Sequence, residues 1–235
     1  MNMLSFVYCE IRKVYKSSVF WVVVAAFAFL PGISLFKYFN VTGASWGSYL
    51  ADVLKNFSAL LVIGFAFTTC WIFGREYTDN TINDLLVKPV SKLCIAISKF
   101  IVIILWNSLL TIIMFADVLL IGAYIGLTGS TATLILNYFL AFMAASVLTM
   151  FVSTVSSFAA NVTKGYLAPI GLIFLVMIII NVVENIGLSA YIPWTIPGLI
   201  LSDGVLSPIS ILILAITGIA GFIGTVAWWR FVDQQ

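Results

Sequence analysis

The sequence contains no histidine. That excludes Ser-His catalysis, His-ligated metalloprotease centres and His-ligated haem in one step. Charge is scarce: 9% of the 235 residues are charged, where a soluble domain carries about a quarter. So little charge cannot cover a globular surface. The three cysteines, Cys9, Cys70 and Cys94, have neither the number nor the spacing of a disulfide framework or a zinc site, and read as small apolar fillers. No G-x-x-x-x-G-K-[ST] run is present, so no phosphate-cradling loop is built into the chain. No basic tract suits nucleic acid.

What fills the sequence instead is hydrocarbon. Hydrophobic residues make up 63% of the chain, and mean hydropathy is +1.17. Six apolar runs stand out, at Val19–Phe36, Phe57–Phe73, Ile95–Ile121, Leu134–Thr154, Tyr166–Val183 and Ile209–Trp229. Each is about 17–27 residues, long enough for a helix to cross a hydrocarbon core of about 30 Å. The short alternating segments of a membrane barrel do not occur. The chain therefore reads as an all-α polytopic membrane protein, one permease-like domain over residues 1–235 with six transmembrane helices.

Lysine and arginine set the orientation. With the N-terminus inside, the cytoplasmic segments hold Arg12, Lys13, Lys16, Arg75, Lys88, Lys92, Lys99, Lys164 and Arg230, and the outside holds Lys37 and Lys55. Both termini are expected in the cytoplasm of a cell-membrane protein. Within residues 1–18, Leu4, Val7, Tyr8, Ile11 and Val14 recur at helical spacing, with Glu10, Arg12, Lys13 and Lys16 mostly opposite. This predicts an amphipathic helix in the cytoplasmic interface, and the long charged stretch before the first run does not read as a signal peptide. Residues 184–208 are too apolar for an ordinary loop, and Pro193 and Pro197 prevent one continuous spanning helix. They are expected to form one or two short re-entrant helices in the outer leaflet, packed against protein.

Two carboxylates accompany the runs, Asp117 in the third and Glu184 at the end of the fifth. An ionisable group in a membrane is a functional candidate. Glu184 lies roughly 27 Å along a helix from Tyr166, near the outer interface, and Asp117 is about as far beyond Lys99. Proton coupling, a polar outer mouth of a pathway and a structural hydrogen bond all remain open for this pair. Phe57, Phe65 and Phe67 offer either an apolar pathway wall or core packing. Thr217 with Gly221 and Ala220 with Gly224 give four-residue small-residue spacing, which predicts close helix packing within the chain.

One stretch is polar against this background: residues 74–92, GREYTDNTINDLLVKPVSK. TINDLL predicts a short helix, with Thr81 and Asp84 as a capping box and Pro89 as its stop. Ile82, Leu85 and Leu86 form an apolar knob in a polar rim, which is either the anatomy of a docking surface or a knob that packs back on the membrane part. Phe73, Glu76, Asn80-Thr81, Leu85-Leu86, Pro89 and Ser91-Lys92 resemble the pattern F-x-x-E-x-x-x-G-T-x-x-x-L-L-x-x-P-x-S-R of permease subunits of ABC type-2 exporters. Asn80 stands for Gly, as the next best residue at positive φ, and Lys92 for Arg. The resemblance implies that residues 75–92 form the coupling helix between spans two and three, seated in a groove of a separate ATPase. Glu76, Thr81, Ile82, Leu85, Leu86, Pro89 and Lys92 are then the coupling residues. It further implies two permease copies, identical or related, with the pathway at their interface, and two ATPase chains that bind ATP and Mg. This chain would carry no cofactor and no enzymatic centre. The substrate expected is a hydrophobic or amphipathic peptide, exported as a toxin or for self-resistance. The alternatives are a proton-coupled secondary transporter using Asp117 and Glu184, and a non-transporting membrane protein, either a scaffold or an intramembrane enzyme.

Overall fold

The structure, a computed structural model, describes residues 3–39, 43–82 and 91–232, without the side chains of Glu184 and Asp203. Leu85, Leu86 and Pro89, with Asp84 of the expected capping box, therefore lie outside the described residues, as does the Glu184 side chain. No strand occurs among the described residues. The helices are α1 (Met3–Tyr15), α2 (Ser18–Phe29), α3 (Gly32–Tyr38), α4 (Trp46–Thr78), α5 (Lys92–Ile125), α6 (Ala132–Val162), α7 (Leu167–Asn185), α8 (Ile196–Asp203) and α9 (Pro208–Phe231), with a 3-10 turn at Ser189–Tyr191.

Local chemistry explains where these helices start and stop. Ser45, Ser91, Thr131 and Ser207 each stand just before a long helix, and each hydroxyl accepts an otherwise unpaired backbone N–H of its first turn. Gly126 ends α5 at φ +76, a conformation that suits glycine. The first apolar run breaks between α2 and α3 because Pro31 cannot donate a helical hydrogen bond.

Five segments are long and apolar enough to cross a membrane: Ser18–Tyr38, Trp46–Thr78, Lys92–Ile125, Ala132–Val162 and Pro208–Phe231. The fifth expected run is present as a shorter apolar helix, Leu167–Val183. The long helices exceed the expected runs. α4 begins at Trp46 rather than Phe57, because Asp52, Lys55 and Asn56 depress the hydropathy of its first turns while Trp46, Tyr49, Leu50, Val53 and Leu54 still form a buried face.

α4 is the central post. It packs against α5, α6, α7 and α8, while α6 packs against α4 and α9. The buried face of α6 is built from small polar residues at three- and four-residue spacing: Ser146, Thr149, Ser153, Ser157 and Asn161. Several of these bond to neighbouring helices: Ser146 with Thr111 at 2.6 Å, Ser157 with Thr225 at 2.7 Å, and Asn161 accepting from Trp229 Nε1 at 2.8 Å. A side chain on Gly221 of α9 would come within 2.6 Å of the α6 backbone at Thr154 and Val155. The small-residue contact thus lies within the chain, but its members are Gly218, Gly221, Gly224 and Thr225 rather than Thr217 and Ala220, which are not buried. Between α7 and α9 the chain forms the 3-10 turn and α8, with Pro197 at the start of α8, where the missing N–H is harmless.

Candidate functional site: a buried ion cluster at the base of the polar loop

α1 has two different faces. Leu4, Tyr8, Ile11 and Tyr15 point away from the body and are exposed, while Phe6, Val7, Glu10 and Val14 are buried. Glu10 was expected on the polar outer side. Instead it is 1% exposed, because the helix turns it towards Lys99 of α5, which is 0% exposed. Lys99 lies on the same stripe of α5 as Ile95, Val102, Ile103 and Trp106, all buried. A lysine on such a stripe needs a partner inside the protein.

Its partners come from two helices, α1 and α4. Lys99 Nζ donates to Glu10 Oε2 at 3.0 Å, to Glu76 Oε1 at 2.9 Å and to the Ile72 carbonyl at 3.2 Å. Lys13 Nζ donates to Glu10 Oε1 at 3.0 Å and to Glu76 Oε1 at 3.1 Å. Arg75 stands 3.9 Å from Glu10 and 3.8 Å from Glu76, with its guanidinium 4.6 Å from the centre of the Trp71 ring. Two carboxylates and three cations thus knot α1, the end of α4 and the start of α5 together. Burial by itself would raise the Glu10 carboxyl, but the ammonium groups of Lys99 and Lys13 outweigh it and hold it below its usual 4.5. Burial by itself would lower Lys13, but Glu10 and Glu76 outweigh it and hold it above its usual 10.5.

The knot reaches into the polar loop. Thr81 Oγ1 donates to Glu76 Oε2 at 2.6 Å, and the Thr81 N–H donates to the Glu76 carbonyl at 2.9 Å. Asn80 makes this turn possible at φ +55, the positive φ anticipated for its position. Ile82 is 7% exposed and belongs to the chain's own core. Of the expected coupling residues, Glu76 turns inward because Lys99 and Lys13 lie there, and Ile82 packs back on the chain itself, the alternative left open for the knob. Lys92 is the half-exposed first residue of α5.

The pathway candidates separate as well. Phe57 and Phe65 are buried, and Phe65 stacks on Phe27 with ring centres 6.4 Å apart, so both are core. Phe67 borders an apolar cavity of about 190 Å³ between α2, α4 and α7, with Val22, Phe27, Gly64 and Phe174. Gly64 leaves room for Phe27, whose ring lies 2.2 Å from where a side chain on that glycine would begin. Asp117 is half-buried, and its Oδ2 is enclosed with no hydrogen-bond partner among the described residues. Among the described residues, no three His, Cys, Asp or Glu side chains gather where they could hold a metal ion.

Residues 6–181 match the family model described as ABC-2 family transporter protein. The bacitracin transport permease protein BCRB of Bacillus licheniformis is 26% identical over 186 residues, covering 76% of this chain and 89% of that protein. The uncharacterized protein YhcI of Bacillus subtilis (strain 168) is 33% identical over 92 residues, which is 39% of this chain and 29% of that protein. The helices, the polar loop and these likenesses agree: the chain belongs to the ABC-2 transporter family, as a multi-pass, non-enzymatic permease subunit of an ABC transporter.

Proposed function

We propose that this chain is the permease of an ATP-driven exporter of hydrophobic or amphipathic peptides, and that the ion cluster passes the motion of its ATPase to the helices. In this reading the ends of α4 and α5 that carry the cluster face the cytoplasm, as do both termini. α7 crosses the membrane as the sixth span, the segment with α8 dips into the outer leaflet, and the exposed face of α1 rests in the inner interface. Two permease copies, each with an ATPase that holds ATP and Mg, form the working unit. Residues 75–92 dock on the ATPase through Leu85 and Leu86, with Pro89 and Lys92 at the end of the contact. The apolar cavity at Phe67 and the bacitracin permease among the relatives support an apolar peptide as cargo. Membership in an ABC family favours ATP over a proton gradient as the energy source, and so argues against the carrier reading of Asp117 and Glu184.

The observation that carries the proposal is the link from Thr81 to Glu76 and from Glu76 to Lys99. A push on the loop pulls on Glu76, and Glu76 shares Lys99 and Lys13 with Glu10. α1, α4 and α5 then move as a unit. Thr81→Val removes the hydroxyl and keeps the shape. It should leave ATPase co-purification unchanged but lower export per ATP by roughly 10-fold, in line with a hydrogen bond to a charged acceptor worth about 1.5–3 kcal/mol. The double change Leu85→Asp with Leu86→Asp should abolish co-purification of the ATPase while the permease stays monodisperse. Unchanged export by Thr81→Val sinks the transmission route. Retained ATPase binding by a well-folded double variant sinks the docking site.

A further inference from the structure

A second cleft opens on the other side of α4 from the Phe67 cavity. Its volume is about 280 Å³, and it lies between α5, α6 and α9 with Thr69 of α4 at its floor. Thr69 and Phe67 point in nearly opposite directions, being two residues apart on a helix of about 100° per residue. The rim residues Ile104, Val147 and Phe222 are 52%, 56% and 39% exposed, yet the cleft reaches in as far as Ser153 at 4%. It therefore enters the bundle rather than running along its surface.

The floor has little to offer a polar ligand. The Thr69 and Ser153 hydroxyls are 3.3 Å apart, Ser153 donates to the Met150 carbonyl at 2.7 Å, and Thr154 bonds the Phe151 and Gly218 carbonyls, each at 2.8 Å. Ser108 adds a single further hydroxyl to an otherwise apolar wall. A cavity whose polar atoms are already engaged does not hold water well. Nor does a gap of this size stay empty beside fluid hydrocarbon, because its lining would forfeit dispersion contacts. The occupant that fits is a flexible, unbranched hydrocarbon that enters from the side.

We infer that this cleft binds an acyl chain of a bilayer phospholipid. The chain fills the gap that separates α5 from α6 and α9. Phe100 lines the cleft one residue from Lys99, so the occupied cleft also braces the stretch of α5 that enters the ion cluster.

The test uses the full chain in phosphatidylcholine nanodiscs doped with a phospholipid that bears a diazirine at mid-chain. After irradiation, adducts are mapped by peptide mass spectrometry. Adducts should concentrate on the buried Ile103 and Met150 and the rim residues Ile104 and Val147, over Leu175 and Ile178 of α7, which are as exposed as that rim. They should be lost in Val147→Phe and, independently, in Ile104→Phe. Both substitutions lie on the exposed rim, so neither overpacks the core, and either one that stays monodisperse decides the matter. Adducts spread evenly over the exposed apolar positions, or persisting in both filled variants, would overturn the assignment. Displacement by added bacitracin would overturn it too, by giving the cleft to cargo. Labelling needs neither ATPase nor transport, so its failure leaves the export proposal standing.

Discussion

The two ends of α4 carry the same kind of ion pair in opposite surroundings. At its start, Lys37 of α3 meets Asp52 at 2.5 Å, with Tyr38 and Asn56 also bonded to that carboxylate. The Lys37 and Asp52 side chains are 58% and 37% exposed. At its end, Glu76 meets Lys99 at 2.9 Å with both side chains within 2% of full burial. The distances differ little and the energetics differ greatly. Water screens the first pair and solvates either partner when the other is lost, so such pairs contribute about 0–1 kcal/mol. No water replaces a lost partner in the second, and breaking a buried pair costs about 3–5 kcal/mol. One end of the helix can let go of its contacts cheaply, while the other must move with them.

The sharpest way to break this comparison is Lys99→Met. It leaves Glu10 and Glu76 facing each other with Lys13 and Arg75 alone, and should destabilise the purified permease by about 3–5 kcal/mol in thermal unfolding. Glu10→Leu combined with Lys99→Met should recover much of that loss, because no charge of that pair is then stranded. A Lys99→Met protein as stable as the parent would mean that the knot is solvated in the membrane.

A smaller effect sharpens the comparison through pH. The Glu10 carboxyl is held below its usual 4.5, so its contribution is present above that value and fades as pH falls through the lowered one. Lys13 is held above its usual 10.5, so its contribution is complete below that value and fades as pH rises through the raised one. The stability difference between the parent and Glu10→Gln should therefore be flat across about pH 6–8 and shrink only in acid. A difference that already changes across neutral pH would contradict the assignment of these charges. The smallest effect belongs to the exposed pair: Asp52→Asn should cost no more than about 1 kcal/mol, and less in high salt. A loss comparable to that of Lys99→Met would erase the distinction between the two ends.

Much of this molecule is legible in single residues. The helix starts are written as Ser45, Ser91, Thr131 and Ser207, and the positive φ of Asn80 as an amide residue where a glycine is expected. Span lengths are less legible, because hydropathy averages over all sides of a helix: the first turns of α4 look polar on Asp52 and Lys55 although their other face is core. The ion cluster was missed for a related reason. Lys99 was counted only as a marker of the cytoplasmic side, and Glu10 was placed with the polar residues of its helix. A signal was available in the buried stripe of Ile95, Lys99, Val102 and Trp106, where a charge sits at helical spacing among apolar residues.

The sequence by itself determined the class, a bundle of apolar helices, because no other arrangement satisfies the backbone of so many consecutive apolar residues in hydrocarbon. It also determined the polar loop with the family that the loop resembles. Only the tertiary structure decided which charges are inside. Glu10 and Lys99 are 89 residues apart, and helical periodicity assigns a residue to a face without saying what that face will meet. For the same reason, Phe57, Phe65 and Phe67 are equivalent as sequence. Phe57 is buried and Phe65 stacks on Phe27 of α2, while Phe67 is left on a cavity between α2, α4 and α7.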